Sequence, residues 1–118
     1  MAAGPGNAAG DAAGQAPEVD LDAFAEAHAA GAAVLDVRNP DEYAEAHVPG
    51  VVLIPLGELG ARIDEVPAGR PLYVICATGG RSMRAATALR QQLGIEAVNV
   101  AGGTMGWVRS GRSYDTGA

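Results

Sequence analysis

The chain has 118 residues, 48% of them hydrophobic but only 4% aromatic, with a formal charge of −6 and a sequence pI near 4.7. That length fits one domain with a core of Val, Leu, Ile and Ala, and the acidic balance excludes a general binder of nucleic acid or anionic membrane, which needs a basic footprint. The charge is uneven: twelve acids and three arginines precede Cys76 (net −9), whereas five arginines and two acids follow it (net +3).

Residues 1–17, MAAGPGNAAGDAAGQAP, lack the charged and apolar regions of a signal peptide and the arginines of a transit peptide. Their glycine and alanine offer too little apolar surface to offset ordering entropy, so they read as a flexible tail outside the fold. The domain is expected over 18–112, with 113–118 a short C-terminal tail. Val19 begins a short strand. Asp20 then caps a helix through 21–30 that stops at Gly31. AAVLDV (32–37), VVLIPL (51–56), PLYVIC (71–76) and AVNV (97–100) are continuous apolar runs, as strands buried on both faces require. Pro40 suits the first turn of a helix through Glu45, and Leu59, Ile63 and Val66 share one face of a third helical segment. After Cys76 the helical pattern is clearest. Ser82, Met83, Ala86, Leu89, Arg90 and Leu93 form its buried stripe, Arg84 and Gln91 its outer face, and Gly94 its C-cap. Gly102 and Gly103 suit a sharp strand-to-helix turn with Thr104 as cap, and Trp107 packs the last helix on the sheet. Strands alternating with helices call for an α/β fold of about five mostly parallel strands covered on both faces. No apolar run approaches the roughly 20 residues of a membrane span.

One cysteine cannot form an intramolecular disulfide, which suits the cytoplasm. His28, His47 and Cys76 have no metal-ligand spacing, so neither metal nor cofactor is expected. Taken alone, a cysteine ending an apolar strand reads as a small buried hydrophobe. Its context, CATGGRS, argues otherwise. Two adjacent glycines let successive amides turn inward as an anion-binding nest, and the helix that follows adds the positive end of its dipole and the charge of Arg81. All three favour thiolate over thiol, making Cys76 a nucleophile at neutral pH. Asp36 and Arg38, just past a buried strand, read as a structural ion pair near the site. Glu42, Tyr43 and His47 lead into the Pro49–Gly50 turn and fix it.

LDVR (35–38), DEYAEAHVPGVVLIP (41–55), CATGGRS (76–82) and GGTMGW (102–107) occur in that order, and with them the sequence resembles the rhodanese-like sulfurtransferases over residues 18–112. The resemblance implies a five-stranded, largely parallel sheet, with Cys76 as sulfur carrier and Ala77, Thr78, Gly79, Gly80 and Arg81 as the cradle of its loop. It implies a monomer that takes sulfur from a small anionic donor such as thiosulfate and, through a Cys76 persulfide, passes it to cyanide, a small thiol or a protein thiol. Classical thiosulfate enzymes of the family place a basic residue directly after the cysteine. Here Ala77 stands there, and Arg81 is expected to supply the charge. Two other functions compete. Cysteine phosphatases use Cys-x5-Arg, one residue longer than the Cys-x4-Arg from Cys76 to Arg81. A non-catalytic or redox-regulated binding module would use the same fold without transferring sulfur.

Overall fold

The computed structural model describes residues 14–118. Strands β1 (Glu18–Val19), β2 (Ala33–Asp36), β3 (Val52–Leu53), β4 (Leu72–Ile75) and β5 (Ala97–Val100) alternate with helices α1 (Leu21–Ala29), α2 (Pro40–Glu45), α3 (Gly80–Leu93) and α4 (Gly103–Arg109). The sheet order is β1-β5-β4-β2-β3, and every pairing is parallel. Side chains alternate across a strand, so β4 divides the interior into two cores. Leu72, Val74 and Cys76 face one core, with Leu35, Ala85, Ala86 and Leu89 from β2 and α3. Ile75 and Tyr73 face the other, with Val34, Phe24, Val100 and Trp107. Trp107 thus packs α4 onto the sheet, its ring edge-on to Phe24 at 5.5 Å.

The caps follow the sequence. Asp20 Oδ1 accepts from the Ala23 amide at 2.8 Å, Pro40 opens α2, and Gly94 closes α3 in the left-handed conformation at φ +67°.

Three details depart from the expected elements. The segment around Leu59, Ile63 and Val66 is not a helix but two single 3-10 turns, Leu56–Glu58 and Ile63–Glu65. Gly57 and Gly60 weaken helix propagation there, and Pro67 stops it. On α3, Ala85 joins the buried stripe while Leu93 is 51% exposed. A 14-residue helix of about 21 Å outlasts the four-residue strand of about 13 Å that it covers, so its last turn overhangs. Thr104 is not the cap of α4; Gly102 holds that position at φ +81°.

The segments read as tails also touch the domain where they are described. The Ala16 amide donates to Thr87 Oγ1 at 3.0 Å, and the Asn99 amide donates to the Pro17 carbonyl at 2.9 Å. Residues 1–13 of the expected tail lie outside the described residues. At the other end, Asp115 and His47 exchange backbone hydrogen bonds of 2.9 Å, and Trp107 Nε1 donates to the Ser113 carbonyl at 2.8 Å.

Candidate active site

In a parallel sheet all strands end at one edge, and loops leading into helices gather there. Cys76 directly follows β4. The Thr104 amide donates to the Cys76 carbonyl at 2.8 Å, and the Met105 amide to that of Ala77 at 3.0 Å, so the first turn of α4 holds the loop's own backbone. Such closeness requires Gly103: a Cβ there would stand 2.5 Å from both the Cys76 and Ala77 carbonyl oxygens, and its φ is +58°.

The loop turns back on the sulfur. Gly79, left-handed at φ +116°, caps α3 and donates its amide to Cys76 Sγ at 3.1 Å. The Ser82 hydroxyl lies 3.2 Å from the same sulfur. Burial pushes the Cys76 thiol up, but the Ser82 hydroxyl and the amides of Ser82, Gly79 and Thr78 outweigh it and hold the thiol below its ordinary value. The cysteine is 1% exposed, with the loop lying over it. Ala77 is half-buried, and Thr78 and Gly80 are exposed on the loop's outer surface.

Arg81 does not donate to the sulfur. Its guanidinium forms a bidentate pair with Glu42, Nη1 to Oε1 and Nη2 to Oε2, both at 2.8 Å. That fork draws the Glu42 carboxyl down to about 2, helped by the Asn39 amide, and raises the Arg81 pKa in turn. Arg81 therefore stands at the loop's end as one half of an ion pair, with a carboxylate that α2 brings into the plane of its fork.

Asp36 and Arg38, both buried, form the expected ion pair with Nη2 to Oδ2 at 2.8 Å. Arg38 also donates to the carbonyls of Glu42 at 3.2 Å and Ala46 at 2.9 Å, fastening the C-terminal end of α2 to β2. Both histidines are occupied with backbone: His28 Nε2 bonds the Pro49 carbonyl and His47 Nδ1 that of Tyr43, each at 2.7 Å. No group of three or more potential metal ligands occurs among the described residues, and none of their helices is long and apolar enough to cross a membrane.

Beside the loop, a cleft of about 270 Å³ runs between α2 and α4, lined by Arg38, Glu42, Glu45, Ala46, Thr104, Met105, Val108 and Arg109. Thr104 Oγ1 is buried here without a hydrogen-bond partner. A larger hollow of about 400 Å³ is walled by Ile63, residues 66–70 and residues 93–96 and contains no nucleophile.

Three participants in this geometry go beyond the site residues expected from the sequence. Ser82 counted only as part of a buried helical stripe, although a hydroxyl in the first turn behind a cysteine is in reach of it. Asn99 passed within the strand AVNV, where an amide in an otherwise apolar buried run was the available signal. By sequence Glu42 belongs to the stretch leading into a turn, and only the fold joins it to Arg81, 39 residues along the chain.

The sequence matches the rhodanese-like domain over residues 20–110. A Bacillus subtilis protein named "Putative sulfur carrier protein YrkF" is 40% identical over 93 residues, which cover 77% of this chain and 50% of that protein. A protein of Allochromatium vinosum named "Sulfurtransferase" is 32% identical over 78 residues, covering 66% of this chain and 73% of its own. This chain therefore spans about half the length of the first relative. Among solved structures, a rhodanese-related protein from Thermoplasma volcanium superposes with a TM-score of 0.73 at 31% identity, over 84% of this chain and 97% of that one. With an ordered run of family motifs, a matching five-stranded parallel sheet and a family match over most of its length, the chain belongs to the rhodanese-like domain family.

Proposed function

We propose that the protein is a sulfurtransferase that carries a sulfane sulfur on Cys76. The observation that supports this most is the environment of Sγ: a buried sulfur at the carboxyl edge of the sheet, met by the Gly79 amide and the Ser82 hydroxyl. Neutral donors of this kind stabilise an anion without a side-chain base, and both histidines are engaged elsewhere. In the first half-reaction the Cys76 thiolate attacks the outer sulfur of a donor such as thiosulfate. An S–S bond forms to the cysteine, the bond to the sulfonate sulfur breaks, and sulfite leaves with the electron pair. The terminal sulfur of the persulfide now carries the charge, among the amides of Ala77–Arg81. In the second half, cyanide or a thiolate takes that sulfur and returns the pair to Sγ. The reading uses no cofactor and one copy of the chain, and it suits the reducing cytoplasm. The names of the Bacillus and Allochromatium relatives agree with sulfur handling.

Thiosulfate incubation should add one sulfur to Cys76 by mass, and cyanide should remove it as thiocyanate. Cys76→Ser should abolish both. A wild-type chain that stays unmodified with thiosulfate and with inorganic polysulfide would overturn the enzymatic reading in favour of a binding module.

A further inference from the structure

The Ser82 hydroxyl has one proton and two acceptors within reach, Cys76 Sγ at 3.2 Å and Asn99 Oδ1 at 2.5 Å. It can serve only one of them at a time. Asn99 is not free to turn, because its Nδ2 donates to Glu18 Oε2 at 2.7 Å. A carboxylate accepts and cannot donate, so the amide must keep its NH2 toward Glu18 and its oxygen toward Ser82. Ser82 and Asn99 are both fully buried, with no solvent to take over either bond. We infer that the Ser82 hydroxyl is a two-position donor and that Asn99, held by Glu18, is the seat it occupies whenever Sγ carries no charge. Asn99 and Glu18 are then positioning residues that act on the sulfur through Ser82.

The bonds balance in each state. When Cys76 is a thiol, its S–H donates to Ser82 Oγ and Ser82 donates to Asn99. When it is a thiolate, the hydroxyl proton turns to Sγ and leaves Asn99 Oδ1. In the persulfide the charge lies on the outer sulfur, so the hydroxyl returns to Asn99. As an acceptor thiolate attacks the outer sulfur, a new S–S bond forms, the bond to Sγ breaks with its pair left on Sγ, and the hydroxyl swings to meet that charge. The use in turnover rests on the persulfide reading above; the switch itself needs only the thiol and its thiolate. The other charged groups around the sulfur are closed in pairs, Asp36 with Arg38 and Arg81 with Glu42, while Arg109 of α4 lies exposed across the cleft.

Asn99 competes with the sulfur for one proton, so removing the seat should favour the thiolate. This fixes opposite signs for two neighbouring substitutions. Ultraviolet thiolate absorbance titrated against pH on the whole chain would read them, since Cys76 is the only thiol. Ser82→Ala should raise the midpoint. Asn99→Leu and Glu18→Ala should lower it, with several-fold more thiolate at a pH below the wild-type midpoint. The double variant S82A/N99L should titrate as S82A does, because Asn99 has no other route to the sulfur. General loosening of the loop would instead raise every midpoint by misaligning the amides. Midpoints that rise in all variants, or that stay at the wild-type value in Asn99→Leu and Glu18→Ala, would overturn the proposal. If Asn99→Leu does not fold, Glu18→Ala decides alone, since it alters an exposed residue on an edge strand. Opposite-signed shifts in a protein that accepts no sulfur would sink the sulfurtransferase reading and leave the switch standing.

Discussion

The two sides of Cys76 are built from different chemistry. Behind the sulfur, Ser82 and Asn99 form a buried, uncharged hydrogen-bonded chain that reaches a carboxylate only at Glu18. In front, toward the cleft, Arg38, Glu42, Glu45 and Arg109 bring charge among the lining side chains, and Arg81 of the loop is locked to Glu42. The contrast teaches where the stabilisation of a sulfur anion comes from. Hydrogen bonds to a charged group are worth roughly 1.5–3 kcal/mol each, and they cost little reorganisation when their donors are already aimed. An arginine already neutralised by a bidentate carboxylate adds little net potential at the same point. The inner side therefore governs the thiolate, while the outer side shapes what can approach it.

Gly103 lets α4 close against the backbone of the loop that both sides share, and its replacement should have the largest effect. In Gly103→Ala the new Cβ meets the carbonyls of Cys76 and Ala77 at 2.5 Å, and neither can retreat without losing its bond to the Thr104 or Met105 amide. Strain at a positive φ alone is worth ~1–3 kcal/mol, and the backbone clash adds to it. We expect a lower urea midpoint, together with a Cys76 thiolate titration moved up as the loop opens. A variant with wild-type stability would mean that the loop and α4 separate easily and that their contact does not hold the loop in place.

The inner side was partly legible in the sequence and the outer side hardly at all. Apolar runs and Gly-Gly after Cys76 announce the sheet edge and the amide nest, because those features depend on residues within six positions of the cysteine. The α3 stripe likewise follows from local spacing, apart from Ala85, which joins it, and Leu93, whose exposure depends on where the covered strand ends. Glu42 and Arg81 lie 39 residues apart, and Ser82 and Asn99 lie 17 apart. Nothing in the spacing of either pair signals contact; the sheet order β5-β4-β2 creates both. The two 3-10 turns after β3 do not follow from spacing, because Leu59, Ile63 and Val66 have helical spacing, whereas Gly57, Gly60 and Pro67 decide the backbone.

Freeing the outer cation tests the other half of the contrast. Glu42→Gln leaves the Arg81 fork without a charged partner beside the loop, so an anionic donor should gain. The KM for thiosulfate should fall several-fold while kcat for an uncharged sulfane-sulfur donor stays near wild type. Arg81→Ala should do the reverse, leaving the Glu42 carboxylate unpaired at the mouth and raising the thiosulfate KM. The double variant R81A/E42A should recover much of that loss. If both donor types respond equally to each change, the pair only shapes the loop, and charge at the mouth does not select the donor.

The same pair makes the smallest effect, a dependence of stability on pH. The Glu42 carboxyl lies at about 2 in the folded chain against 4.5 for an ordinary glutamate. A carboxyl whose folded pKa is depressed contributes stability that is fully present above its unfolded value and is lost as pH falls through the folded one. Glu42→Gln should therefore be less stable than wild type at pH 6, and the gap should close between about 4.5 and 2. Both side chains are about one-third exposed, so solvent screens the pair and the gap should shrink further in high salt. Urea midpoints of the two proteins across that range would read it. The inner side predicts no such acid-range gap between wild type and Ser82→Ala, because the hydroxyl does not titrate. A Ser82→Ala deficit that vanished in the same acid window would show the serine to be coupled to a carboxyl. Glu18, reached through Asn99, would be the first to examine.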